Sequence, residues 1–114
     1  MPSARQRRGT AAEDQAAAFL QQKSYRIIDR HVTSRYGEID ILAADGETIV
    51  AVEVKARQSA AFGRAIEAVT PAKLAKITQA LDDILHSRNW SGRPIRIDVV
   101  TIEPGSIQHY RAVS

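Results

Sequence analysis

At 114 residues, 44% of them apolar and 25% charged, the chain has the size and make-up of one soluble globular domain with a single core. No apolar run approaches the roughly 20 residues that cross a bilayer, and the complete lack of cysteine excludes disulfides, thiolate metal sites and a cysteine nucleophile. The formal charge of +3 and a pI near 9.6 come with local basic clusters at Arg5, Arg7 and Arg8 and at Lys55, Arg57 and Arg64, which favours a polyanionic partner.

In chain order, Met1-Pro2-Ser3-Ala4-Arg5-Gln6-Arg7-Arg8 is basic but is followed by polar helical sequence rather than an apolar signal segment. The expectation is a cytoplasmic protein without membrane contact, one domain over residues 1–114 whose residues 1–8 form a flexible basic arm. Thr10 and Glu13 have capping-box spacing, with Ala12, Ala16, Phe19 and Leu20 following at helical intervals, so a helix is expected over 10–22. After Lys23-Ser24, Tyr25 to Val32 reads as a strand. Two further strands, 36–44 and 47–56, flank Asp45-Gly46, a strong hairpin signal. Gln58 to Gly63 reads as a mobile loop that orders on substrate binding. Thr70-Pro71 caps a second helix whose apolar face is Leu74, Ile77, Leu81, Ile84 and Leu85. Trp90 is expected to anchor the following loop, Ile95 to Ile102 is a β-branched strand, and Ile107 to Val113 is an edge strand with Ile107, His109, Arg111 and Val113 on one side. The order α-β-β-β-α-β, with one more β, predicts a layered α/β domain with a mixed sheet and flanking helices.

If Asp45-Gly46 is a two-residue loop, Ala44 faces Glu47, Leu42 faces Ile49, Asp40 faces Ala51 and Glu38 faces Glu53. Alternation then puts Glu38, Asp40, Glu53 and Lys55 on one side, and Ile39, Ile41, Ala43, Val50, Val52 and Val54 on the buried other side. Asp40 would lie diagonally from Glu53 at about 7–8 Å. Clustered carboxylates require positive charge between them. Lys55 supplies some, and Mg²⁺ (or Mn²⁺) suits such a site because it takes one or two carboxylates and leaves its other positions to water and phosphate. That chemistry is metal-assisted phosphodiester hydrolysis.

Gly37-Glu38-Ile39-Asp40-Ile41-Leu42 followed by Val52-Glu53-Val54-Lys55 resembles the signature of the PD-(D/E)XK nuclease superfamily, especially its YraN-like branch of bacterial proteins related to Holliday-junction resolvases. The resemblance extends through the Gly9-to-Glu13 helix start, Phe62-Gly63, Ala68-Val69-Thr70-Pro71 with Lys73, and Arg96-Ile97-Asp98-Val99-Val100. It implies a restriction-endonuclease-like αβββαβ core and a metal site at Asp40 and Glu53 with the Val54 carbonyl as third ligand. It also implies Lys55 as catalytic lysine, Glu13 as accessory acid, Lys73 as a helical lysine and a homodimeric assembly. Arg35, Arg57 and Lys73 are the expected nucleic-acid contacts. Ile39 stands at the superfamily's proline position, Ala12 where a glycine is expected, and Ser24 where related sequences tend to have a glycine helix stop.

Blander assignments compete at several positions. Glu13 suits a helix cap, Asp98 an ion pair with Arg96, and Glu38 a surface carboxylate, while His31, His86 and His109 lack metal-ligand spacing and are assigned to surface or edge positions. Function stays open between a DNA or RNA nuclease, a catalytically inactive nucleic-acid-binding module of the same fold, and a protein-interaction domain.

Overall fold

A computed structural model describes residues 4–59 and 63–114, with side chains from Ala11 onward. Helix α1 (Ala4–Gln22) leads into strands β1 (Arg26–Ser34), β2 (Gly37–Asp45) and β3 (Thr48–Ala56); the 3₁₀ turn η1 (Ala65–Ala68), helix α2 (Pro71–Ser87), β4 (Ile95–Glu103) and β5 (Ser106–Tyr110) follow. Among the described residues these strands form one sheet in the order β1-β2-β3-β4-β5, with β3 and β4 parallel and the other neighbours antiparallel. The parallel pair requires a crossover, and α2 provides it.

The helices cover opposite faces. Ala16 and Leu20 of α1 pack with Tyr25, Ile41, Ala43, Val50, Val52 and Val100. Ile77, Ala80, Leu81, Ile84 and Leu85 of α2 pack with Leu42, Ile49, Ala51 and Ile97, and Trp90 anchors against this second cluster as its sequence context suggests. Thr70 caps α2 by accepting the Lys73 amide at 3.1 Å, and Pro71 occupies its first turn, where a missing N–H costs nothing. No helix among the described residues is long and apolar enough to cross a membrane.

Several expectations are corrected. Helix α1 begins at Ala4 rather than at residue 10, so Thr10 lies inside it; residues 1–3 lie outside the described residues. Arg, Gln and Ala are strong helix formers and carry the helix through the local cap signal. Of the expected loop at 58–63, residues 60–62 lie outside the described residues. α1 ends in a Schellman motif: Tyr25 N–H donates to the Leu20 carbonyl and Ser24 N–H to that of Gln21, both at 3.0 Å, with Ser24 left-handed at φ 71.

The central hairpin turns one residue later than its Asp-Gly signal suggests. Asp45 pairs with Thr48, so Gly46 and Glu47 form the turn, and Gly46 carries the positive φ (60) that a II′ turn requires at its first central position. Asp45 is kept in the strand by ion pairs to Arg96 at 3.0 Å and Arg111 at 3.4 Å. Leu42 consequently faces Ala51 and Ala44 faces Ile49.

The expected alternation also breaks, because Ile39 joins the α2-side cluster while Ile41 joins the α1-side cluster. The break lies where His31 takes a left-handed backbone (φ 53) between the cross-strand pairs Arg30–Ile41 and Val32–Ile39. At the C-terminal edge, β5 stops at Tyr110. Ala112 then turns left-handed (φ 54), which carries Val113 to the α2-side cluster while His109 stays against Phe19 and Tyr25 beside α1.

A forked strand pair as a candidate metal centre

The site begins where β2 leaves β3. The amides of Ile49 and Arg57 donate to carbonyls of the β4 side, so the odd residues of β3 turn their backbone groups toward β4 and the even ones toward β2. The β2–β3 ladder ends at the Ile41–Val52 pair. Beyond it Asp40 Oδ2 accepts the Val54 amide hydrogen at 2.9 Å, and Val54 lines the cleft that opens there. The next positions along the hairpin are Asp40 and Glu53. The continued register therefore sets the two residues at facing positions rather than the diagonal ones that the expected register gave.

Glu53 is 4% exposed, a state in which an unpaired carboxylate would cost several kcal/mol. Its Oε1 lies 3.4 Å from Lys73 Nζ and 3.6 Å from Lys55 Nζ. Burial pushes the Glu53 carboxyl above its ordinary range, as does Asp40 opposite, while the two lysines pull it back. Asp40 is raised by burial too, against the Val54 amide and the same lysines. A buried and a partly buried carboxylate, both with pKa raised by burial, suit a hard divalent cation. Among the described residues no cluster of three or more His, Asp or Glu side chains forms a metal cage, so any cation here depends on two carboxylates plus backbone oxygen.

Glu13 is buried at the rim and is not a helix cap, because it lies well inside α1. His31 Nε2 is 2.5 Å and Arg30 3.5 Å from its Oε1, while His31 Nδ1 meets Glu38 Oε1 at 2.8 Å. An imidazole with a carboxylate oxygen on each nitrogen holds both ring protons. The Glu38 hydrogen bond, with Glu13 adding to it, accordingly lifts the His31 pKa above its ordinary value. His31 is the participant that sequence reasoning passed over. Its left-handed backbone, which aims the ring, depends on a conformation that residue spacing does not encode.

Asp40, Glu53, Val54, Lys55, Arg57, Lys73 and Glu13 all line one cleft of about 860 Å³, bordered across from them by the Glu103-Pro104-Gly105 turn. Arg35 is not brought there. It lies in a second hollow with Tyr36 and Asp83, to whose carboxylate it comes within 4.0 Å. Glu38 is taken up by His31 and stays outside the cleft. Asp98 is fully buried and paired with Arg96 at 2.8 Å, the structural role its sequence setting suggested. His109, expected at a surface or edge position, lies on the edge strand β5, but its side chain is buried with Nε2 2.8 Å from Asp98 of β4.

A mixed five-stranded sheet between two helices, with an acidic fork at the edge of its central hairpin, defines an α/β protein with a restriction-endonuclease-like αβββαβ core. A family model described as "Uncharacterised protein family UPF0102" matches residues 12–102, and the chain belongs to that family. A UPF0102 protein of Persephonella marina is 36% identical over 104 residues, which cover 91% of this chain and 90% of the relative. Another, from Symbiobacterium thermophilum, is 44% identical over 97 residues, 85% of this chain and 82% of the relative. A third, from Geobacter sulfurreducens, is 45% identical over 94 residues, 82% and 73% of the two chains.

Proposed function

We propose that this protein is a PD-(D/E)XK-type nuclease that hydrolyses phosphodiester bonds of DNA or RNA with Mg²⁺ or Mn²⁺ held by Asp40, Glu53 and the Val54 carbonyl. The observation that carries the reading is that Asp40 and Glu53, the next positions along the hairpin after the Ile41–Val52 pair, line one cleft, with the Lys55 ammonium 3.6 Å from Glu53. A metal bound there would polarise the phosphodiester and acidify a water. The chain's own groups supply the rest. Val54 N–H orients Asp40 through their hydrogen bond. Lys55 carries positive charge to the place where negative charge grows on the phosphorus oxygens. Glu13, held by Arg30 and His31, is a further acid at the cleft wall that can orient a water or accept its proton. Arg57 and Lys73, lining the same cleft, attract backbone phosphates without reading sequence.

The test is cleavage of branched, duplex and single-stranded DNA and RNA with Mg²⁺ or Mn²⁺, comparing wild type with Asp40→Asn and Glu53→Gln. Cleavage by wild type, lost in both variants, is expected. Salt-sensitive binding without cleavage by any of the three would instead make this a binding module. Equal cleavage by all three would assign the activity to a contaminant and overturn the proposal.

A further inference from the structure

Glu53 Oε1 receives two ammonium groups, and their tethers differ. Lys55 belongs to the same strand and its place is fixed by β3. Lys73 reaches over from the first turn of α2, and its side chain is 42% exposed against 31% for Lys55. Its backbone is pinned, since its amide caps onto Thr70, while its ammonium end reaches Glu53 along a part-exposed side chain. A lysine has no acceptor atom and cannot share a carboxylate oxygen with a dication at close range without repulsion.

We infer that Lys73 is the resident counter-ion of the Asp40–Glu53 pair, displaced from Glu53 when a divalent cation binds and thereby released into the cleft as a phosphate-binding group. This rests on the metal-site reading above and adds to it an order of events. Without metal, Lys73 neutralises the buried carboxylate; with metal, the same charge becomes available to the nucleic-acid backbone. The exchange couples the two ligands, because whatever favours the outward position of Lys73 favours both metal and phosphate, and such coupling is reciprocal.

The experiment is calorimetric titration of the intact protein with Mn²⁺ alone, without nucleic acid, for wild type, Lys73→Met and Lys73→Arg. Removing the competing charge is expected to tighten Mn²⁺ binding about two- to five-fold in Lys73→Met, the scale of a part-exposed ion pair. Lys73→Arg, which keeps the charge, is expected to stay close to wild type. Unchanged or weaker binding in Lys73→Met overturns the counter-ion role while wild-type binding leaves the metal site standing. Equal tightening in Lys73→Arg also overturns it, since charge would then not be the cause. No Mn²⁺ uptake by wild type and by Lys73→Met removes the metal site and this inference together.

Discussion

Asp40 Oδ2 accepts the backbone N–H of Val54 at 2.9 Å, so a side chain completes a strand edge that β2 has abandoned. The contact makes Asp40 structural as well as chemical, and two substitutions separate the roles. Asp40→Ala leaves the partly buried Val54 amide without its acceptor and is expected to cost about 1–3 kcal/mol. Asp40→Asn keeps an oxygen in place and removes a charge that burial disfavours at neutral pH, so its stability should equal or exceed wild type. Urea unfolding of both variants at pH 7 checks this; an equal loss in the two would contradict it.

The two histidines with resolved shifts should tilt the pH dependence of stability in opposite directions. His31 is raised, chiefly by its Glu38 hydrogen bond, so its contribution is full below its ordinary value near 6.5 and is lost as pH rises through the folded value. His109 is lowered by burial, only partly offset by Asp98, so the unfolded chain takes up the proton first and stability falls as pH drops below 6.5. The expected profile has its maximum near neutrality. His31→Asn, which tolerates the left-handed backbone, should flatten the alkaline limb, and His109→Gln the acidic one. Melting temperatures from pH 5 to 9 for the three proteins supply the readout.

Arg96 holds Asp98 and Asp45 together, bridging the interior of β4 to the hairpin turn. Burial pushes Asp98 upward, but Arg96, the Ala112 amide and His109 outweigh it and hold its carboxyl below the ordinary range. Arg96→Met would leave this buried charge with its Ala112 and His109 contacts but without its cation, and should cost about 3–5 kcal/mol. Adding Asp98→Asn should recover part of that loss. A double-mutant cycle by denaturant unfolding measures the coupling, and strict additivity would show that the pair is energetically independent.

Ser24 occupies the left-handed position of the α1 terminus at φ 71. An L-residue pays roughly 1 kcal/mol there that glycine does not. Ser24→Gly should therefore raise the melting temperature while leaving metal response untouched, and a lower melting temperature would show that the serine side chain contributes more than its backbone costs.

Much of this arrangement was legible in the sequence because it is local. Thr70-Pro71 marks the start of α2, and the apolar stripe from Ile77 to Leu85 marks its buried face. Glu53 and Lys55, two residues apart on one strand, meet as alternation requires. Moving the hairpin turn by one residue shifted the cross-strand pairing but not its parity, which is why Asp40 and Glu53 still fell on a common face. What stayed hidden depended on distant partners or on single backbone angles. Asp45 remains in β2 because Arg96 of β4 grips it, and His109 is buried because Asp98 of another strand receives it. The change of face between Ile39 and Ile41 accompanies one left-handed residue, His31, that no periodicity announces.

Asp40 and Glu53 lie on the two arms of one tight hairpin, whereas Lys73 belongs to the crossover helix that follows. Closing a short loop costs little chain entropy, and hairpins form in about 1–10 μs. During synthesis from the N-terminus, the acidic pair can thus gather before its helical counter-charge has left the ribosome. Until α2 docks, Lys55 is the counter-charge that the hairpin itself carries to Glu53, and docking adds Lys73 as well as burying the apolar face of α2.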